Sequence, residues 1–224
     1  MTIRFNPYFL IYSVVIGIPL LYTITYLLAA MGNHVPWCNP LFSNCTTLTA
    51  TGIYVPESYV MRFGLTPLIT AMGIGFFFFK EHLIRFGVEP KHANKSYRIA
   101  VVGCIGGVAA VAFMQGPEET DMGLHTLSAV IFFVLMLVAQ FTFTQQDNTC
   151  RREEIATAYW VRVVACAVQT LLLTYSAYIF FSTGKSPGMQ YEWWLTITII
   201  VWYSSFLFES NRAFIDGFLD AKRD

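Results

Sequence analysis

Charged side chains are scarce in this chain. Asp, Glu, Lys and Arg make up 12% of its 224 residues, about half of the roughly 25% found in soluble domains. Positive charge is not in surplus either, because 14 basic residues are matched by 14 acidic ones. A nucleic-acid-binding protein needs a basic surface, so we expect no nucleic-acid partner. The low charge also excludes a large soluble core.

The usual signatures of metal and cofactor sites are missing as well. The sequence contains no P-loop and no dinucleotide-binding fingerprint. Its four histidines show no paired metal-ligand spacing such as HxxxH. The apolar stretches contain no buried lysine of the kind that would hold retinal. These absences predict a protein without a metal or cofactor, and they make an enzyme the less favoured interpretation.

Six apolar stretches account for most of the chain: residues 8–31, 60–79, 99–114, 124–143, 159–181 and 193–208. A bilayer core of about 30 Å is crossed by roughly 20 helical residues. A helix also satisfies all of its backbone hydrogen bonds internally, as lipid requires. We therefore predict an all-α polytopic membrane protein, a single domain over residues 1–224 built as a bundle of six transmembrane helices.

The basic residues predict the orientation of these spans. Twelve of the 14 Lys and Arg residues fall on the side that carries both termini, and only Arg62 and Lys185 fall on the other. The positive-inside rule therefore places both termini in the cytoplasm. It also places the connectors over residues 80–98 and 145–158 there, whereas residues 32–59 lie outside.

The outer connector over residues 32–59 carries two candidate modification sites. Cys38 and Cys45 lie seven positions apart, and the outer side of a secretory or periplasmic membrane is oxidising. A disulfide between them is one interpretation, and two free thiols are the other. Asn44 begins an Asn-Cys-Thr sequon, which makes it a candidate glycosylation site.

Ionisable residues at the predicted outer ends of the spans are the candidate functional groups, because burying them in lipid is costly. They are Glu57, Arg62, His125 and Glu192. In an enzyme, His125 would act as general acid or base, with Glu57 or Glu192 orienting it. The alternative is an interfacial polar ring, with these charges at water level and the neighbouring Trp193 in the aromatic belt.

The cytoplasmic side offers simpler interpretations. Arg98 and Arg162 are expected to extend their guanidinium groups to the lipid headgroups. Together with other basic side chains, Arg98 would form a surface that attracts anionic lipid; the others are Lys80, Arg85, Lys91 and Lys95. Gly103 and Gly107 form a GxxxG spacing, which predicts close helix packing.

The pattern Thr51-Gly52, three residues, then Pro56-Glu57 resembles the outer-loop signature of the FRAG/DRAM/SFK family of membrane proteins. That signature usually has an acidic residue where this chain has Ala50. The start of the fourth stretch at His125 is also similar to the family pattern, as are Glu192-Trp193 and Glu209 around the sixth. We take six residues as candidate ligand-binding positions: Thr51, Gly52, Glu57, Arg62, His125 and Glu192.

The resemblance implies a multi-pass protein connected with membrane lipids. Family members are described mostly as modulators or adaptors, and one branch as lipid-remodelling. We therefore expect a protein that binds or organises lipids, or scaffolds protein partners in the bilayer. The alternative is a lipid-modifying enzyme with an outer-leaflet His/carboxylate site. The expected location is an endomembrane, lysosomal or plasma membrane in a eukaryote, and the inner membrane in a bacterium.

Overall fold

The computed structural model describes residues 8–114, 123–149, 156–184 and 188–208. Within these ranges the protein is helical and has no strand. Six α-helices follow one another: α1 Tyr8–Met31, α2 Glu57–Arg85, α3 Pro90–Ala112, α4 Gly123–Thr149, α5 Ala156–Thr183 and α6 Gln190–Ser204. Two 3₁₀ turns cover Thr49–Gly52 and Ser205–Phe208. An all-α fold was predicted and is confirmed.

The helices pack as an up-and-down bundle. Each packs against its neighbours in sequence, and α6 also packs against α1. One end of the bundle carries residues 32–56, which connect α1 to α2, and we call it the loop end. The other end carries the contact between Asp147, at the end of α4, and Arg162, near the start of α5. We call it the ion-pair end.

Five of the helices are long and apolar enough to cross a membrane by length and composition: α1, α2, α3, α4 and α5. Helix α6 has 15 residues, which is short by that criterion, and the 3₁₀ turn Ser205–Phe208 extends it. The prediction of six spans is therefore confirmed for five helices and not for the sixth.

Helices α2 and α3 extend well past the apolar stretches that predicted them. The connector expected over residues 80–98 is mostly helical, because α2 continues to Arg85 and α3 begins at Pro90. Proline suits the first position of a helix, where its missing N–H is not needed. The ends of an apolar stretch show where apolar side chains give way to polar ones. Backbone hydrogen bonding continues past these points, so the helices are longer than the stretches.

Lys80 does not belong to the predicted basic surface. Its ammonium group is buried, lies 2.6 Å from Glu81 and sits over the rings of Phe77 and Tyr97. Such a cation–π contact stabilises a lysine away from water. The other four basic residues of that surface are exposed: Arg85, Lys91, Lys95 and Arg98.

Glycines bring α3 and α4 together. A Cβ atom at Gly107 would lie 2.8 Å from the Phe132 ring, and one at Gly106 would lie 3.3 Å from the Ser128 carbonyl oxygen. A Cβ atom at Gly103 would likewise lie 3.2 Å from the Met136 side chain. Small residues allow helix backbones to approach closely in a membrane. The close packing predicted from the GxxxG spacing is thus confirmed.

Arg162 is buried at the ion-pair end, contrary to the prediction that it reaches the headgroups. Its side chain is 2% exposed. The guanidinium group donates to Asp147 Oδ2 at 2.6 Å and to Ser205 Oγ at 2.8 Å. It also lies 3.8 Å from the centre of the Phe206 ring. The sequence prediction was wrong because it did not identify Asp147 as a partner. The ion pair with Asp147 offsets the energetic cost of burying the Arg162 charge.

Candidate functional site

The connector over residues 32–56 folds as a compact lid on the loop end. Cys38 and Cys45 form a disulfide, which was one of the two interpretations that the sequence left open. Tyr26 of α1 anchors the disulfide-bonded segment, because its hydroxyl accepts from the Cys38 N–H at 2.7 Å and donates to the Cys38 carbonyl at 2.6 Å. The Tyr26 ring also meets Trp37 and Trp193 edge-on. The lid is thereby fixed to both α1 and α6.

Two tryptophans at the start of α6 hold the lid from the other side. Trp193 Nε1 donates to the Thr46 carbonyl at 3.1 Å, and Trp194 Nε1 donates to the Leu41 carbonyl at 3.0 Å. Asn44, the candidate glycosylation residue, is exposed and accepts a hydrogen bond from the Met189 N–H through its side-chain oxygen. The tryptophans that the sequence associated with an aromatic belt therefore also serve as hydrogen-bond donors to the lid.

The 3₁₀ turn Thr49–Gly52 is the part of the lid that packs against Met61 of α2 and Met114. Gly52 is buried, and a Cβ atom there would lie 2.7 Å from Met114 and 2.9 Å from Met61. Only glycine leaves room for this approach. Thr51 is fully buried, and its hydroxyl donates to the Leu48 carbonyl at 2.7 Å. Both residues were predicted to bind a ligand, and the contacts in the structure give them a part in shaping the turn.

Thr49 connects His125 and Glu192, two of the four ionisable residues that the sequence predicted at the outer ends of the spans. Its hydroxyl oxygen lies 3.1 Å from His125 Nε2 and 3.2 Å from Glu192 Oε2. The Thr49 N–H also donates to Glu192 Oε2, at 3.1 Å. His125 Nδ1 lies 2.7 Å from the Ala110 carbonyl oxygen at the end of α3. A continuous hydrogen-bonded chain therefore connects α3, α4, the lid and α6.

Two arrangements of the same protons satisfy this chain. In both, His125 Nδ1 carries a hydrogen, because the Ala110 carbonyl can only accept. In one, a neutral Glu192 donates to the Thr49 hydroxyl, which donates to His125 Nε2. In the other, His125 Nε2–H donates to the hydroxyl, which donates to the Glu192 carboxylate. Thr49 thus couples the histidine to the carboxyl group without direct contact between them.

A cavity of about 90 Å³ adjoins the His125–Thr49–Glu192 chain. These three residues, with Tyr22 and Thr196, supply its polar lining, and the remaining walls are apolar. Along α2 the lining extends from Met61 to Met72, roughly 16 Å of helix. An apolar cavity of roughly 150 Å³ holds benzene. This smaller cavity therefore has room for a short hydrocarbon segment and not for a whole lipid.

The principal apolar wall of the cavity comes from four helices. Its members include Leu65, Ile69, Val111, Phe132, Phe133 and Ile199. They face each other because the apolar sides of α2, α3, α4 and α6 form the core of the bundle. The cavity is therefore elongated along the helix axes, with one polar end beneath the lid.

Glu57 and Arg62 do not join the His125–Thr49–Glu192 chain. Glu57 is fully buried, and its Oε1 atom lies 2.5 Å from His34 Nδ1 in the lid. The His34 ring stacks on Tyr54, with 4.3 Å between ring centres. Arg62 is exposed and donates to the Met114 carbonyl, just past the end of α3. The expected cluster of four residues is thus divided into separate contacts at the same end.

The most informative residues that sequence reasoning missed are Thr49 and His34. Thr49 lies in the connector after the disulfide, but a threonine there does not by itself indicate partners on two distant helices. His34 had no suitable spacing with Glu57. Glu209, which the family pattern includes, lies outside the described residues. Within the described part of the chain, no cluster of three or more His, Cys, Asp or Glu residues is placed to hold a metal ion.

Comparison with known proteins identifies a family. The model of the Frag1/DRAM/Sfk1/Cwh43P N-terminal domain matches residues 7–210, which is most of the chain. No curated protein and no solved structure matches it. The matched range includes all six helices, the lid and the His125–Thr49–Glu192 chain. The protein therefore belongs to the Frag1/DRAM/Sfk1/Cwh43P N-terminal domain family.

Proposed function

We propose that this integral multi-pass membrane protein binds a lipid at its loop end, with hydrocarbon in the cavity and polar atoms at the His125–Thr49–Glu192 chain. The observation that carries the proposal is the elongated apolar cavity with a hydrogen-bonding end. Ligand sites are typically concave and largely apolar, with a few polar groups that fix orientation. The cavity would take part of an acyl chain, and the rest of the lipid would remain in the bilayer.

The proposal includes six spans with the loop end outside. Helix α6 and the turn Ser205–Phe208 together measure roughly 30 Å at the usual rise per residue, the thickness of a bilayer core. Glu192 of α6 contacts the lid at one end of the bundle, and Ser205 contacts Arg162 at the other. Twelve basic residues on the side of the termini favour a cytoplasmic location for the ion-pair end.

The exposed basic residues support a lipid-facing role on the cytoplasmic side as well. Lys91, Lys95 and Arg98 recur at helical spacing along α3. Each such charge attracts anionic lipid by about 1 kcal/mol near the membrane surface. This surface would hold the protein at an anionic leaflet while the loop end binds its lipid in the opposite leaflet.

An enzyme is the second candidate, and one observation favours it: the Thr49 hydroxyl lies next to His125 Nε2. His125 could accept the hydroxyl proton while Thr49 Oγ1 forms a bond to an ester carbonyl. The departing alcohol would then recover that proton, leaving the acyl group on Thr49. However, the hydroxyl has one hydrogen, and an ionised Glu192 is the stronger acceptor. This competition makes binding the better-supported function.

The binding proposal is tested by filling the cavity. Ala129 lines it, so A129F places a phenyl ring in the space that the hydrocarbon would occupy. Val130 is adjacent and 52% exposed on the outside of the bundle, which makes V130F the matched control. The measurement is native mass spectrometry of the lipid that copurifies with each variant. We expect A129F to lose bound lipid and V130F to keep it; equal retention by both would contradict the proposal.

The enzyme candidate is tested at Thr49. T49S keeps a hydroxyl beside His125, whereas T49V removes it with little change in shape. Lipids from cells expressing each variant, or lacking the protein, are compared by mass spectrometry. Catalysis requires a lipid product that depends on the protein, persists in T49S and disappears in both T49V and H125A. An unchanged lipid profile in H125A would exclude the enzyme.

A further inference from the structure

We infer that the loop-end site selects an amphiphile whose head is an uncharged hydrogen-bond donor, such as a hydroxyl or amide, and rejects phosphate and carboxylate heads. The inference rests on the proposed lipid-binding function and adds the chemical class of the lipid. It follows from an inventory of the donors and acceptors around the cavity. Donors are nearly exhausted there, whereas acceptor capacity remains.

The donors of the His125–Thr49–Glu192 chain are used within the protein. His125 Nδ1 is committed to the Ala110 carbonyl, and its Nε2 to Thr49. The Thr49 N–H is committed to Glu192. The Thr49 hydroxyl has a single hydrogen, which either arrangement of protons directs to Glu192 or to His125. A phosphate or carboxylate head needs several donors at once and would find these already occupied.

Acceptor capacity remains on Glu192. A carboxylate offers about four acceptor positions. The backbone and hydroxyl of Thr49 use two of them, and the backbone of Leu48 also faces the carboxylate. At least one position is left for a donor in the cavity, which Glu192 lines. A hydroxyl or amide N–H on a ligand would complete the group.

Charge around the site acts in the same direction. Among the described residues, the cavity lining contains no Lys or Arg, and His125 and Glu192 together carry no net charge in either arrangement of protons. Arg62 is near the Met114 end of α3, but it is exposed and donates to the Met114 carbonyl. An anionic head would therefore be buried without a cation to pair with it, which is costly.

Tyr22 is compatible with the same class of ligand. Tyr22 belongs to the cavity lining, and a tyrosine hydroxyl can donate or accept a hydrogen bond. A ligand hydroxyl could therefore donate to Glu192 and accept from Tyr22. A single neutral donor such as Tyr22 does not replace the several donors that an oxyanion requires.

The test uses two amphiphiles that differ only in the head. A monoacylglycerol and the lysophosphatidate of the same acyl chain, each with a diazirine on the part of the chain next to the head, are added to the purified full-length protein. After photolysis, labelled positions are mapped by mass spectrometry to the peptides that line the cavity. We expect the monoacylglycerol to label these peptides at least about tenfold more strongly than the phosphate-bearing partner.

The variant E192Q tests the cause of this selection. In this variant, the side-chain amide oxygen at position 192 accepts the hydrogen bonds from Thr49. The NH₂ group then points away from Thr49 and adds a hydrogen-bond donor to the site. We expect the preference for monoacylglycerol to shrink several-fold. E89Q is the matched control, because Glu89 is exposed at the opposite end of the bundle, and it should retain the native preference.

The outcomes separate this inference from the proposed function. Equal or stronger labelling by lysophosphatidate in the native protein would overturn the inference and leave lipid binding intact. Full retention of the native preference in E192Q would likewise overturn the inference and leave lipid binding intact. Failure of both amphiphiles to label the cavity peptides would overturn the proposed function and the inference together. The comparison of the two amphiphiles in the native protein needs no variant, so it stands even if E192Q does not fold.

Discussion

The two ends of the bundle both bury ionisable side chains, but they use them differently. At the ion-pair end, Arg162 is held between Asp147 and Ser205 and is covered by Phe206. At the loop end, Glu192 accepts hydrogen bonds from Thr49. The same threonine connects Glu192 to His125, which Glu192 does not contact directly. The first set of contacts buries a charge among polar and aromatic partners, while the second adjoins a cavity.

This difference indicates a division of labour. A buried ion pair with an additional hydrogen bond joins three chain segments, here α4, α5 and the turn after α6. The loop end keeps an acceptor next to empty space. Under the proposed function, burial of charge alone does not distinguish the ligand site from the ion pair, whereas the cavity beside Glu192 does.

The largest expected effect is at the ion-pair end. D147L leaves the Arg162 charge buried without its carboxylate, which should lower the free energy of unfolding by about 3–5 kcal/mol. The measurement is thermal or denaturant unfolding of the purified protein in detergent. The double variant D147L/R162M removes both charges and should recover most of the stability, as replacement of a whole buried pair usually does. A D147L protein as stable as the native one would show that the pair does not fix this end.

The disulfide of the lid should have the next largest effect. In the chain-entropy model, closing a short loop stabilises a fold by about 2–3 kcal/mol. C38S/C45S should therefore lower the stability of the lid, and hydrogen exchange of residues 32–56 should rise. Exchange at the ion-pair end serves as the internal reference and should stay unchanged. Equal increases at both ends would mean that the lid is not a separate unit.

Removal of the Thr49 hydroxyl should have a moderate effect on stability and a larger relative effect on the site. T49V leaves His125 and Glu192 without their shared partner, which should cost about 1–3 kcal/mol. The unfolding assay used for D147L measures this loss, and T49S should be close to native. The comparison between the two ends predicts that T49V reduces lipid retention, whereas D147L/R162M does not. Lipid loss in both would contradict the division of labour.

Arg62 should matter least. Its side chain is exposed and makes one hydrogen bond to a backbone carbonyl, so R62A should lower stability by about 0.5–1 kcal/mol. Lipid retention should remain native, because Arg62 does not line the cavity. A strong loss of lipid in R62A would return this residue to the ligand-binding set that the sequence suggested.

The sequence predicted the features that depend on local pattern. Apolar length predicted the helices, and the glycine spacing predicted the close approach of α3 and α4. The disulfide between Cys38 and Cys45 was one of two interpretations of their position. The short outer-loop pattern around Thr51 and Glu57 pointed to the family that the comparison then established. These signals are carried by residues close together in the chain.

The features that the sequence did not reveal depend on contacts between distant segments. Arg162 was expected at the headgroups because nothing in its own helix identified Asp147 on α4 as a partner. The link from His125 to Glu192 requires Thr49, which lies on a connector rather than on either helix. Spacing along one helix cannot report such contacts, since they are set by how the helices and the lid pack.

The most direct test of the central claim is a density map of the protein in a lipid bilayer, at a resolution that shows acyl chains. The account predicts chain-like density in the cavity between Thr49 and Met72, with a polar atom within hydrogen-bond distance of Glu192. It predicts no such density beside Arg162. A cavity filled by its own side chains, with ordered lipid only on the outer faces of the bundle, would contradict it.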